Sequence, residues 1–127
     1  MARILVVDDD QLVLTAISEI LLGGKHEVIA VLGDANGAAQ ALDATYDLLL
    51  TDIFLPWLSG WELIKAVRRR HPNIPVVAIS GGGMGFEADA VLEIGERVGA
   101  DFVLPKPVDG DVLLATVERA LKRNGSA

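Results

Sequence analysis

Three aspartates in a row, Asp8, Asp9 and Asp10, follow the aliphatic run Ile4-Leu5-Val6-Val7, and Asp52 ends a second such run, Leu48-Leu49-Leu50-Thr51. Crowded carboxylates repel one another, so a cluster of them needs a cation or a shared proton to persist. Hard oxygen donors of this kind suit Mg2+, which takes one or two protein carboxylates and completes its shell with water and phosphate oxygens. Capping a helix needs one aspartate, not three. Asp52 reads either as a turn residue ahead of Pro56, Ser59 and Gly60 or as a nucleophile able to form an aspartyl phosphate. Ser80 and Lys106 add a hydroxyl donor and a compact positive charge, which a phosphoryl group beside carboxylates requires. Prolines flank Lys106 on both sides, and a cis Lys106–Pro107 bond is one way to aim it.

These side chains need a scaffold that brings them together. Short aliphatic runs recur at 4–7, 27–31, 47–51, 76–79 and 102–104. They are too continuous for half-exposed antiparallel strands and suit strands covered on both faces. Between them lie segments of helical spacing. Leu12/Val13, Ala16/Ile17 and Ile20/Leu21 precede Gly23-Gly24, and Asp34 can cap a helix over 35–42. Further helices are expected over 61–70, over 87–98 and from Asp109 onward. Five βα units predict a doubly wound parallel sheet of five strands, with helices on both faces. Ligands of such folds bind beyond the carboxyl ends of the strands. Asp8–Asp10, Asp52, Ser80 and Lys106 all fall there.

With 127 residues, half of them apolar, the chain is expected to form one domain with a real core. It has no cysteine, which excludes thiol catalysis and disulfides. A net charge of −7 argues against direct nucleic-acid binding. The basic run Arg68-Arg69-Arg70-His71 is read as complementing a helix dipole. No signal-peptide pattern and no bilayer-length apolar stretch is present, so a cytoplasmic protein with no membrane contact is expected.

The ordered set Val7-Asp8-Asp9-Asp10, Leu50-Thr51-Asp52 with Leu55-Pro56 and Gly60, Ala78-Ile79-Ser80-Gly81, and Gly99-Ala100-Asp101 with Leu104-Pro105-Lys106-Pro107 resembles the receiver domain of two-component response regulators. The resemblance covers nearly the whole chain and implies a flavodoxin-like (βα)5 domain over residues 1–123, with a disordered tail at 124–127. It implies that Asp52 accepts a phosphoryl group from a phosphohistidine on a sensor histidine kinase or a histidine phosphotransfer protein. Asp9 would ligate Mg2+ directly and Asp8 directly or through water, with Asp52 and the backbone carbonyl of Phe54 completing the protein ligands. Ser80 and Lys106 would contact phosphoryl oxygens, helped by the backbone N–H groups of Ile53 and Gly81. Such a domain catalyses only its own phosphorylation and dephosphorylation, and it signals to a downstream protein by contact. Dimerisation on phosphorylation is left open.

No residues remain after Arg123 for an output domain, so a stand-alone receiver is expected, a fragment of a longer protein being the alternative. The chain departs from the family pattern in two places. Val103 stands where an aromatic residue usually precedes the lysine by three, and Phe102 lies on the opposite strand face. The glycine-rich stretch Gly81–Gly85 lengthens the connection from Ser80 to Lys106 and is read as a hinge or lid. Leu14 or Trp57 is expected to touch a partner helix, and Trp61 to be core. Three rivals carry different chemistry: a haloacid-dehalogenase-type phosphatase with Asp8 as nucleophile, a flavin-type nucleotide domain, and a docking module that is never phosphorylated.

Overall fold

A computed structural model describes residues 2–53, 60–81 and 99–123. The five strands are β1 (Arg3–Asp8), β2 (Glu27–Leu32), β3 (Leu48–Asp52), β4 (Val76–Gly81) and β5 (Phe102–Lys106). Among the described residues the helices are α1 (Gln11–Gly23), α2 (Ala35–Asp43), α3 (Gly60–Arg70) and α4 (Gly110–Arg123). The strands form one sheet in the order β2-β1-β3-β4-β5, every neighbouring pair parallel. This is the flavodoxin-like sheet that the aliphatic runs predict. The expected helix over 87–98, the residues 82–85, Phe54, Trp57 and the tail 124–127 lie outside the described residues.

The central strands carry unbroken apolar runs because each of their faces is covered. Ile4, Val6, Leu48, Leu50, Val77 and Ile79 pack with Leu14, Ile17 and Leu21 of α1 and with Leu113, Val117 and Ala120 of α4. Leu5, Val7, Leu49 and Val76 face the other way, onto Leu63, Ile64 and Val67 of α3. Strand alternation thus divides the apolar residues between two cores. Leu14 belongs to the first of them at 2% exposure, which corrects the expectation that it meets a partner. The inward stripe of α1 is Leu14, Ile17 and Leu21, so Leu12 turns outward at 79% exposure instead.

Local signals end the elements where the site needs them. Asp10 Oδ1 accepts from Leu12 N at 2.9 Å and caps α1, and Asp34 Oδ1 accepts from Gly37 N at 2.8 Å and caps α2. A Cβ on Gly37 would stand 1.8 Å from Leu32 O, so α2 can approach the end of β2 only with glycine there. Gly37→Ala is expected to cost about 2 kcal/mol by forcing the helix off the sheet. Urea unfolding curves give the value, and an unchanged midpoint would refute the close approach.

Candidate functional site

Pairing of β1 with β3, which sets Val7 opposite Thr51, brings Asp8 and Asp52 to adjacent strand ends. Both are buried, at 1% and 4% exposure, whereas Asp9 is exposed. One carboxylate oxygen from each of Asp8, Asp9 and Asp52 lies within 4.8 Å of the others. That donor set, all oxygen and anionic, fits a small hard divalent cation. Asp10 is not among the three; its side chain is committed to the α1 cap. Asp8 Oδ1 accepts from Asp10 N at 2.9 Å, which orients the Asp8 carboxylate and leaves Oδ2 toward the cluster.

Lys106 reaches this cluster from the end of β5. Its Nζ donates to Asp52 Oδ2 at 2.8 Å and stands 2.9 Å from Asp8 Oδ2. The Asp8 contact is an ion pair without hydrogen-bond alignment, so Asp8 Oδ2 is buried and unsatisfied as an acceptor. Burial tends to lower the Lys106 pKa, but the hydrogen bond to Asp52 and the negative charges of Asp52 and Asp8 outweigh it, and the group titrates above its ordinary range. The Lys106–Pro107 peptide bond is cis.

Ser80 lies one residue beyond Ile79, which pairs with Asp52 across β3 and β4. Its Oγ is buried and has no hydrogen-bond partner among the described residues. Buried hydroxyls without partners are uncommon, and this one stands near the end of β4, the strand between those that carry Asp52 and Lys106. Gly81 pairs with Lys106 at the end of β4. The Ile53 N–H donates to Ile79 O at 3.0 Å and extends the sheet. It would have to exchange that bond to contact a phosphoryl oxygen.

Phe102 packs against the α1–α4 core, with the Arg119 guanidinium 6.0 Å from its ring centroid, while alternation sends Val103 to the other face. The position that the family fills with an aromatic therefore holds a small aliphatic group. Sequence reasoning passed over Asp101 and Arg68. Asp101 Oδ2 accepts from Val76 N at 2.8 Å and from Arg68 Nη2 at 3.1 Å, so the basic run does more than complement a dipole. The signal was present in the Gly99-Ala100-Asp101 motif, but nothing local to it identifies its partners.

Comparison with known proteins agrees with this geometry. The chain is 37% identical over 124 residues to the transcriptional regulatory protein CpxR of Escherichia coli K12, covering 98% of this chain and 51% of that one. It is 32% identical over 120 residues to the response regulator protein FleR of Pseudomonas aeruginosa, covering 93% of this chain and 24% of FleR. The chain thus spans about half the length of CpxR and a quarter of FleR. Among solved structures, NtrX from Brucella abortus superposes with a TM-score of 0.84 at 34% identity, over 98% of this chain and 28% of that one. A CheY-like receiver domain protein from Methanospirillum hungatei matches with a TM-score of 0.83 at 28% identity, over 98% of this chain and 97% of that one. Receiver domains bind Mg2+ at an acidic pocket and interact with histidine kinases or phosphotransfer proteins. No described helix is long and apolar enough to cross a membrane. Residues 4–118 match the response regulator receiver domain, and the chain belongs to that family of two-component signalling modules.

Proposed function

We propose that the chain takes a phosphoryl group from a phosphohistidine, on a sensor histidine kinase or a histidine phosphotransfer protein, onto Asp52. The observation that carries this reading is the Asp52 carboxylate itself, buried, within 4.8 Å of the oxygens of Asp8 and Asp9, and held at 2.8 Å by Lys106 Nζ. A carboxylate oxygen attacks phosphorus, the new P–O bond forms as the P–N bond breaks, and the departing imidazole nitrogen takes a proton. Asp8, Asp9 and Asp52 supply the side-chain oxygens for Mg2+, which when bound offsets the negative charge of the phosphoryl oxygens. Lys106 shifts from pairing with carboxylates to pairing with a phosphoryl oxygen, and the Ser80 Oγ, without a partner among the described residues, donates to another.

Residues 1–123 act as the receiver and pass the signal on by protein contact, in a cytoplasmic setting. Mapping the site of modification tests the assignment. After incubation with a small phosphodonor and Mg2+, borohydride trapping and peptide mass spectrometry should place the acyl phosphate on Asp52 and nowhere when EDTA is added. Label on Asp8 would support the phosphatase-type rival, and no label under any condition would support docking without phosphorylation.

A further inference from the structure

The strand that carries Lys106 is weakly held near the site. β5 has five residues and lies at the edge of the sheet, so among the described residues it pairs with β4 alone. Pro105, one residue before Lys106, has no N–H to give to the ladder. Yet the Lys106 ammonium has to sit between Asp8 and Asp52 to within a few tenths of an ångström.

The other end of the strand is clipped. Asp101 N donates to Val76 O at 2.8 Å, and Asp101 Oδ2 accepts from Val76 N at 2.8 Å, so one residue brackets Val76 with its main chain and its side chain. Arg68 Nη2, in the last turn of α3, donates to the same Asp101 oxygen at 3.1 Å and to Ile74 O at 3.4 Å. The chain enters this clip through Gly99, whose φ of +84° suits glycine. Neither Arg68 nor Asp101 takes part in the acidic cluster, which is about 16 Å away by the rise of five strand residues.

We infer that Asp101, steadied by Arg68, is a positioning residue for Lys106: it fixes the placement of β5 along β4, and with it the reach of the ammonium to Asp8 and Asp52. Both side chains of the clip are about 30% exposed, so their ion pair alone contributes little. The leverage comes from the two bonds to Val76. A displacement of about 1 Å at Lys106 is enough to cost up to about 100-fold in rate.

The inference rests on the phosphoacceptor reading only for its rate measurement. Asp101→Ala, Asp101→Asn and Arg68→Lys are compared with the intact chain. The first readout is the Lys106 ammonium signal in 1H–15N spectra, which ion pairing makes visible by slowing proton exchange. Asp101→Ala is expected to lose that signal and to slow phosphorylation by a small phosphodonor about 10- to 100-fold. Mg2+ affinity, which belongs to β1 and β3, does not fall. Asp101→Asn keeps an acceptor for Val76 N and shows a partial effect, and Arg68→Lys a smaller one. A core variant, Val117→Ala, matched for stability loss, keeps the signal and so separates positioning from general destabilisation. A Lys106 signal unchanged in folded Asp101→Ala overturns the inference. Should that variant not fold, an unchanged signal in Asp101→Asn does so instead. If the wild-type chain takes no label, the phosphoacceptor reading fails while the ammonium signal still decides this one.

Discussion

Asp52→Asn lowers phosphoryl uptake from a small phosphodonor by on the order of 10³-fold or more and leaves the domain folded. The loss follows from chemistry, because an amide oxygen is a far poorer nucleophile toward phosphorus than a carboxylate. Folding survives because asparagine is nearly isosteric, and Asp8 still stands 2.9 Å from the Lys106 ammonium. The substitution also removes one of two buried like charges at the cluster, so the variant should unfold at the same or a higher urea concentration. Asp8→Asn is the matched control. It keeps the Asp52 nucleophile and takes from the cluster an oxygen that lies within 4.8 Å of those of Asp9 and Asp52. That variant should label on Asp52, more slowly and with a higher Mg2+ requirement. Labelling time courses at several Mg2+ concentrations, with urea curves beside them, separate the two. The reverse pattern, with Asp8→Asn silent and Asp52→Asn active, would transfer the nucleophile to Asp8.

Much of this site is legible in the sequence because its residues sit at strand ends. A run such as Leu48-Leu49-Leu50 suits a strand buried on both faces, and parallel pairing then gathers the carboxyl ends of the strands at one edge of the sheet. Asp8 and Asp52 follow from that logic alone. Lys106 is harder, since only the topology shows that β5 lies two strands from β3 and that its last side chain can still cross to Asp52. Leu14 was misplaced because helical periodicity gives the stripes of α1 but not which stripe the sheet covers, and the apolar pairs 12/13 and 16/17 suggest a stripe rotated from the true one. Leu12 and Ala16 are exposed, whereas Leu14 and Ile17 are buried. The engagement of the Ile53 N–H is hidden for a related reason. That N–H is bonded to Ile79 O by the register of two strands far apart in sequence, which no local pattern encodes. The Arg68–Asp101 contact spans 33 residues and is invisible for the same cause.

Lys106→Met should cost about 3 kcal/mol of stability near neutral pH without Mg2+, the cost of stranding buried carboxylates by removing their cation. Asp8 and Asp52 are 1% and 4% exposed, and Lys106 is the cation that contacts both among the described residues. Methionine keeps the length of the stem, so the loss reports charge more than packing. Two further measurements identify the cause. Mg2+ at about 100 times its dissociation constant should return about 2.7 kcal/mol, because a ligand that binds only the folded state stabilises it by mass action. Alkali should also narrow the gap to wild type. Ion pairing raises the Lys106 pKa in the folded state, so its contribution is full below the ordinary lysine range near 10.5 and disappears as pH climbs through the raised value. Tyr46 adds a second alkaline loss, because burial pushes its phenol up to about 12 while the unfolded chain ionises from about 10. Wild type should therefore lose stability more steeply than Lys106→Met above that range, and Tyr46→Phe should remove the tyrosine share from both. Equal stability of wild type and Lys106→Met at neutral pH without Mg2+ would mean that the carboxylates are neutralised by something other than this lysine.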